Sequence, residues 1–174
     1  MARMVKIAAA AALSSVLAAC ASSSLEANNP NSQAAPAPPG WTSGAARPAT
    51  GPGAIMVDLA LSMRGQPYRF GGAAPGGFDC SGLVLFAADG AGLKVPRTAL
   101  EQQRIGMRIA RAELHAGDLV FMHLAHKDLH VGIAIDGERF VHAPSTGGYV
   151  RIDSLAAATY ARGFVGARRI FVAP

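Results

Sequence analysis

Hydrophobic and polar positions divide the chain into three stretches of different character. Residues 1–20 are apolar and rich in Ala, and residues 21–53 are rich in Ala, Ser, Asn and Pro with little charge. Residues 54–174 mix apolar, charged and glycine positions, which is the pattern of a globular domain. We therefore expect a leader at 1–19, a disordered tether at 20–53 and one folded domain at 54–174.

The spacing of apolar residues within the domain predicts helices first and strands afterwards. Helices are expected over Ala54–Met63 and Cys80–Ala88, and Thr98 and Glu101 form a capping box that starts a third. Short apolar or β-branched segments then predict strands at Asp118–Met122, His130–Ile135, Arg139–His142 and Tyr149–Ile152. A helix at Ser154–Tyr160 and a strand at Val165–Val172 follow. This order predicts an α+β domain with N-terminal helices packed on an antiparallel sheet.

The charge of the chain argues against a nucleic-acid partner. The formal net charge is +5, and apart from the pair Arg168-Arg169 the basic residues are scattered along the sequence. A nucleic-acid-binding protein more often collects its basic residues on one element. We expect no nucleic acid among the partners, and a monomer.

The N-terminus has the features of an export signal. Arg3 and Lys6 precede an uncharged stretch, Ile7–Ala19, which is too short to cross a bilayer as a helix. The stretch ends in Leu17-Ala18-Ala19-Cys20, which resembles a bacterial lipobox and implies acylation of Cys20; an ordinary signal peptide with an incidental Cys20 is the alternative. Several acyl chains would give stable membrane anchoring. Ala21, where Asp would suggest inner-membrane retention, implies a location on the periplasmic face of the outer membrane.

Cys80 is the second of two cysteines in the chain and the candidate nucleophile. If Cys20 is acylated, Cys80 has no intramolecular partner, so it is either buried and inert or kept because it reacts. At the first turn of a helix a thiol faces unpaired N–H groups and the positive end of the helix dipole, which favour the thiolate. The flanking residues Asp79 and Ser81 are candidates for contacts with a substrate or an oxyanion.

A thiol nucleophile needs a base, and His130 is the best placed of the histidines. A two-residue turn at Asp136-Gly137 would pair Ile135 with Glu138 and place His142 one position out of register with His130. A small shift of register would bring the two imidazole rings to one face, where His142 orients His130.

The same three side chains admit a second interpretation, a metal site. Zinc accepts Cys and His ligands, but structural zinc sites use four ligands at short paired spacings, and the chain has no Cys-x-x-Cys. We therefore expect no metal and no other cofactor.

Six sequence motifs together resemble the NlpC family of cell-wall cysteine peptidases. They lie in the family's order at Gln66–Gly72, Phe78–Val84, Val95–Thr98, Ala116–Phe121, His130–Ile135 and Phe140–Ala143. The resemblance implies a papain-like core in which Cys80 is the nucleophile, His130 the base and His142 the residue that orients the base. It also implies that Tyr68 lies beside the thiol, with its hydroxyl directed at the substrate or the oxyanion.

The substrate implied by this resemblance is the stem peptide of bacterial peptidoglycan. Members of the family commonly cut the bond between D-γ-glutamyl and a diamino acid. Two other functions stay open on the same core: a lipoprotein that binds peptidoglycan without cutting it, and an amidase or acyl transferase. No additional wall-binding module is visible in the sequence, and the loop 122–129 has no close counterpart in the resemblance.

Overall fold

The computed structural model describes residues 51–124, 129–145 and 148–171. The leader, Cys20 and the tether up to residue 50 lie outside these ranges, as do residues 125–128 of the 122–129 loop. None of the helices in the described ranges is both long enough and apolar enough to span a membrane.

The described residues form four α-helices and one 3₁₀-helix. The α-helices are α1 (Pro52–Ser62), α2 (Cys80–Gly90), α3 (Ala99–Gln102) and α4 (Ala158–Gly163), and the 3₁₀-helix is Arg111–Glu113. Helix α1 begins two residues earlier than predicted, because Pro52 needs no intrahelical N–H partner at the first position. The predicted capping box between Thr98 and Glu101 is present at the start of α3.

In the part of the chain that the structure describes, eight strands form two sheets. The short strands β1 (Ala73–Ala74) and β2 (Gly77–Phe78) pair with each other. The main sheet has six antiparallel strands in the order β3-β8-β4-β5-β6-β7. Its members are β3 (Met107–Ile109), β4 (Leu119–His123), β5 (Leu129–Ala134), β6 (Arg139–His142), β7 (Arg151–Ser154) and β8 (Phe164–Arg169).

The predicted α+β class is confirmed, while several boundaries were wrong. Strand β7 lies two residues beyond its predicted start, and α4 begins at Ala158 instead of Ser154. Strand β3 was not predicted, because its outer residues Met107 and Arg108 are exposed and leave no alternating pattern. It exists through its pairing with β8 across a long stretch of sequence.

The sheet separates two apolar cores. Helices α1 and α2 pack on one face, where Met56, Leu83, Val84, Phe121 and Ile133 are buried together. The other face is covered by α4 and the 3₁₀-helix region, with Val120, Met122, Phe140, Leu155 and Tyr160 between them. Strand β5 therefore has a buried residue on either face along most of its length, which fixes its position in the sheet.

A buried ion pair joins the last strand to the centre of the sheet. The guanidinium of Arg169 in β8 donates two hydrogen bonds of 2.7 Å to the carboxylate of Asp118, which lies directly before β4 and is fully buried. The Asp118 carboxylate also accepts a hydrogen bond from the backbone N–H of His115. This bidentate geometry satisfies most of the hydrogen-bonding capacity of the buried carboxylate, as a buried charge requires.

The hairpin between β5 and β6 differs from its prediction by one residue. Its turn spans residues 136–138, and the N–H of Ile135 donates to the carbonyl of Arg139 at 2.8 Å. The turn is longer because the side chain of Asp136 accepts hydrogen bonds from the backbone N–H groups of Glu138 and Arg139, at 2.9 and 2.7 Å.

The longer turn changes which residues face each other. Ile133 pairs with Val141 and Ala134 with Phe140, so the next position outward sets His142 opposite Gly132. Since side chains alternate along a strand, His130, Gly132 and His142 share one face. A Cβ at Gly132 would lie 2.6 Å from a ring carbon of Phe140 and 3.2 Å from the Cβ of His142.

We predict that Gly132→Ala destabilises the fold and displaces the His142 side chain. Relief of glycine's entropy cost would stabilise the strand by roughly 0.5–1 kcal/mol, but overpacking typically costs about 1–3 kcal/mol. Urea unfolding monitored by circular dichroism measures the difference. Gly137→Ala is the matched control in the same hairpin, because a Cβ there meets nothing within 4 Å; it should change stability by no more than about 0.5 kcal/mol. Equal stability of the two variants would contradict this prediction.

Candidate active site

Cys80 is the first residue of α2, and Asp79 caps the helix. The Asp79 carboxylate accepts a hydrogen bond of 2.6 Å from the backbone N–H of Gly82. The start of the helix lies so close to the preceding loop that a Cβ at Gly82 would be 1.9 Å from the carbonyl oxygen of Gly72. Glycine at position 82 therefore allows the helix to present Cys80 next to this loop, with the sulfur-bearing residue partly exposed.

Asp79 is held by more than its helix. Arg97 donates to both carboxylate oxygens, at 3.0 and 2.5 Å, and the backbone N–H of Gly71 donates at 2.9 Å. Partial burial alone would raise the pKa of Asp79, but the hydrogen bonds from Arg97 and Gly82 outweigh it and the pKa is lowered. The carboxylate stays ionised and anchors the helix start to Arg97.

Ser81 belongs to the same group of side chains. Its hydroxyl donates to Asp79 at 3.2 Å and accepts from Arg97 at 3.0 Å. Both residues that flank the thiol are thus engaged within the protein. Their suggested contacts with a substrate or an oxyanion stay predictions.

The thiol of Cys80 faces strand β5. Helix α2 packs against β5, and the backbone N–H groups of Val131, Ser81 and Cys80 lie near enough to the sulfur to favour its ionised form. Burial raises the pKa of the Cys80 thiol, and the negative charge of Asp79 adds to the rise. The three N–H groups oppose this but do not overcome it, so the expected lowering of the thiol pKa was wrong. The N–H groups at the helix N-terminus favour the thiolate of Cys80 by less than the loss of water around the sulfur disfavours it.

His130 in β5 and His142 in the neighbouring strand β6 form a hydrogen-bonded pair. The Nε2 atom of His130 lies 2.7 Å from Nδ1 of His142, and the two ring planes are nearly perpendicular, at 83°. Both rings are buried, that of His142 completely. The structure thus brings together on one face the two histidines that the sequence selected, through the shifted register of the hairpin.

A carboxylate that the sequence did not indicate completes this arrangement. Asp153 in β7 places Oδ2 at 2.9 Å from Nε2 of His142. Burial lowers the pKa of His142 to about 4, with the hydrogen bond and charge of Asp153 acting in the opposite direction. The ring of His142 is therefore neutral at neutral pH. No local motif marks Asp153, because its place beside His142 depends on the register of a third strand.

Tyr68 lies near the thiol, as the resemblance implied. Burial raises the pKa of its hydroxyl, and the charges of Cys80 and Asp79 raise it further. Tyr68 is held in place by its backbone N–H, which donates to the carbonyl of Gly148 at 2.8 Å. The direction of its hydroxyl toward a substrate stays a prediction.

The remaining histidines are not part of the His130–His142 pair, and the metal interpretation can be compared with the positions of the possible ligands. His115 and His123 are exposed, and His126 lies outside the described residues. Within residues 51–124, 129–145 and 148–171, no group of three or more His, Cys, Asp or Glu side chains is placed so that it could hold a metal ion.

Comparison with curated sequences finds similar proteins among bacterial cell-wall enzymes. The chain is 42% identical over 122 residues to the murein DD-endopeptidase MepH of Escherichia coli, covering 67% of this chain and 45% of that protein. It is 35% identical over 116 residues to the E. coli murein DD-endopeptidase MepS/murein LD-carboxypeptidase, covering 66% of this chain and 61% of the relative. The chain thus spans about half the length of the curated relatives it matches.

Solved structures show the same fold. The NlpC/p60 domain of the peptidoglycan hydrolase SagA is 31% identical with a TM-score of 0.59, covering 67% of this chain and 97% of that one. An NLP/P60-family protein of Staphylococcus aureus, described as similar to lipoprotein, is 36% identical with a TM-score of 0.63, covering 70% of this chain and 42% of that one. NlpC/P60 domains have a papain-like fold, so the predicted core is confirmed.

The sequence profile of the NlpC/P60 family matches residues 65–169, which include every motif that carried the resemblance, from Tyr68 through Cys80 and His130 to His142. The match covers more than half of the chain, and the fold and the relatives agree with it. The chain belongs to the NlpC/P60 family.

Proposed function

We propose that this protein is a peptidoglycan endopeptidase that hydrolyses stem-peptide amide bonds through the thiol of Cys80. One observation carries the proposal: Cys80 begins α2, which packs against strand β5, and His130 in β5 is hydrogen-bonded to His142. A nucleophile, a base and an orienting group at these places are what thiol-dependent acyl transfer needs. The names of the relatives, murein DD-endopeptidase and peptidoglycan hydrolase, support the substrate class.

The first half of the reaction forms a thioester. His130 uses Nδ1, the ring nitrogen not directed at His142, to take the thiol proton, and the sulfur attacks the carbonyl carbon of the scissile amide. Backbone N–H groups at the start of α2 stabilise the oxyanion that forms. The protonated His130 then gives its proton to the leaving amine, and the C–N bond breaks.

The second half restores the enzyme. His130 takes a proton from a water molecule whose oxygen attacks the thioester carbon, the C–S bond breaks, and the sulfur recovers a proton from His130. The products are a free carboxyl group and the thiol.

The scissile bond has two candidates. The family resemblance implies the bond between D-γ-glutamyl and a diamino acid, whereas the names of the E. coli relatives denote cleavage between two D-residues. Digestion of purified, cross-linked peptidoglycan followed by mass spectrometry separates them. Loss of cross-linked dimers with intact stem peptides indicates the second bond, and release of fragments that begin with the diamino acid indicates the first.

We predict that Cys80→Ala abolishes release of peptide fragments and leaves the fold intact. The side chain is small and partly exposed, so the melting temperature should stay close to that of the wild type. Fragment release from purified peptidoglycan, followed by mass spectrometry, measures the activity. Cleavage by Cys80→Ala at the wild-type rate would exclude Cys80 as the nucleophile and contradict the proposal. Retained binding of peptidoglycan by a wild-type protein that never cleaves it would instead establish the non-catalytic alternative.

His130→Ala should reduce activity about 10²- to 10⁴-fold, the usual contribution of a positioned acid–base group. His142→Ala should do less harm, because an orienting residue does not itself carry the proton to the substrate. His115→Ala is the control, since His115 is exposed and lies outside the site. Retention of more than about a tenth of the activity in His130→Ala would exclude His130 as the base.

The leader and Cys20 support a second part of the proposal: the protein is exported and anchored by lipid to the periplasmic face of the outer membrane. Leu17-Ala18-Ala19-Cys20 places the cysteine where lipoprotein processing acylates it. The residues between Cys20 and the start of α1 then act as a tether between the acyl chains and the catalytic domain.

Cys20→Ser should release the protein from the membrane fraction into the soluble periplasmic fraction, because the acyl chains supply the binding energy. Detergent partitioning of cell fractions, with metabolic labelling by a fatty acid, measures both effects. Cys80→Ser is the matched control, which should stay anchored and labelled. Unchanged membrane partitioning of Cys20→Ser would show that Cys20 is not the anchor.

A further inference from the structure

The carboxylate of Asp153 receives three hydrogen bonds on a single oxygen. Oδ2 accepts from Nε2 of His142 at 2.9 Å, from Nε of Arg151 at 2.9 Å and from the hydroxyl of Tyr160 at 2.6 Å. Arg151 also approaches the hydroxyl of Tyr160, at 3.4 Å. The donors come from strand β6, strand β7 and helix α4, so three elements meet at this one atom.

This cluster lies directly behind the His130–His142 pair. The ring of Tyr160 packs edge-on against the rings of Phe140 and His142, with centroids 5.0 and 5.5 Å apart. Arg151 is opposite His142 in the sheet, so Asp153, two positions along β7, reaches His142 diagonally. Helix α4 thereby contributes the Tyr160 ring that packs against His142.

The protonation of the cluster follows from its donors and acceptors. Partial burial would raise the pKa of Asp153, but hydrogen bonds from Tyr160, His142 and Arg151 outweigh it, and the pKa is lowered. An ionised carboxylate only accepts hydrogen bonds, so Nε2 of His142 must carry a proton. Because His142 is neutral, with a pKa of about 4, its Nδ1 then has a lone pair.

The hydrogen bond between the two rings then fixes which nitrogen of His130 carries a proton. Nδ1 of His142 is an acceptor, so Nε2 of His130, 2.7 Å away, must be the donor. A neutral His130 that is protonated on Nε2 has its lone pair on Nδ1. That is the nitrogen with which the proposed reaction takes the proton of Cys80.

We propose that Asp153 is a positioning residue that sets the tautomers of both histidines, with Arg151 and Tyr160 holding its carboxylate in place. The arrangement of protons stands on the hydrogen-bond geometry together with the neutral state of His142, while its catalytic consequence rests on the proposed function. Asp153 touches neither the thiol nor a substrate. It acts through His142, and when His130 is protonated in the reaction, the carboxylate stabilises the added positive charge through the same chain of hydrogen bonds.

The decisive measurement is a ¹⁵N NMR spectrum of the imidazole rings in the wild-type protein. At pH 7 His142 should be neutral and protonated on Nε2, and His130 should carry a proton on Nε2. On lowering the pH, His142 should stay neutral to about pH 4, in the field of His130, Asp153, Arg151 and Tyr160, the polar groups that face it. A neutral ring of either histidine that is protonated on Nδ1 at pH 7 would overturn the proposal without any variant.

Two substitutions at position 153 distinguish the effect of the hydrogen-bond acceptor of Asp153 from the effect of its negative charge. Asp153→Ala removes both, so Nδ1–H forms of the histidines should appear in the spectrum and kcat should fall roughly 10- to 10³-fold with little change in KM. The pKa of His142 should also fall, because the hydrogen bond and charge of Asp153 raise it. Asp153→Asn keeps an oxygen acceptor for the same donors and should recover part of kcat.

Asp89→Asn is the matched control, since Asp89 is also an aspartate that binds a basic side chain, that of Lys94, but it lies exposed near the far end of α2. It should leave the ¹⁵N spectrum and kcat unchanged. A folded Asp153→Ala protein with wild-type kcat and wild-type tautomers would refute the positioning role. The spectrum is read without turnover, so its outcome is independent of whether Cys80→Ala abolishes cleavage.

Discussion

The hydrogen bonds of one turn determine where the chemistry of this protein lies. Asp136 binds the backbone N–H groups of Glu138 and Arg139 and so makes the β5–β6 turn one residue longer than the tightest hairpin. In a sheet, a shift of one residue moves a side chain to the opposite face. With the two-residue turn, His142 would point away from His130; with the observed turn the rings are 2.7 Å apart at their nearest nitrogens. The histidine pair is therefore a product of turn geometry as much as of the histidines themselves.

The position of Cys80 depends on a close approach between two backbone segments, as the position of the histidines depends on the turn. The start of α2 lies against the loop at Gly72, where Gly82 leaves no space for a side chain. Strand β5 passes the same point with Gly132 next to the histidine pair. Burial raises the pKa of the thiol, and the backbone N–H groups of Val131 and of the start of α2 act in the opposite direction. In the proposed reaction His130 removes the thiol proton.

Much of this could be predicted from the sequence, and the limits have physical causes. Helix α2, the Thr98 capping box and strand β6 were predicted because their signals are local: an apolar period, a cap and a short apolar run. Cys80, His130 and His142 were selected from their neighbours in the chain. Strand β3 and the contact of Asp153 with His142 depend on pairing between distant segments, for which no short pattern exists. The pKa of the thiol was misjudged because a sequence shows the helix N-terminus but not how much water the fold removes.

The place of β8 in the sheet has a consequence for how the domain assembles. Strands β4 to β7 are neighbours in sequence and in space, so they can form by successive local pairing. Strand β8 instead inserts between β3 and β4, and its Arg169 neutralises the buried Asp118 from 51 residues away. Until residues 164–169 have emerged and docked, β4 presents an open edge and an unpaired carboxylate at its base. The sheet is thus completed by its last strand, and a chain passing through a membrane as an unfolded thread would reach this fold only after nearly all of the domain had crossed.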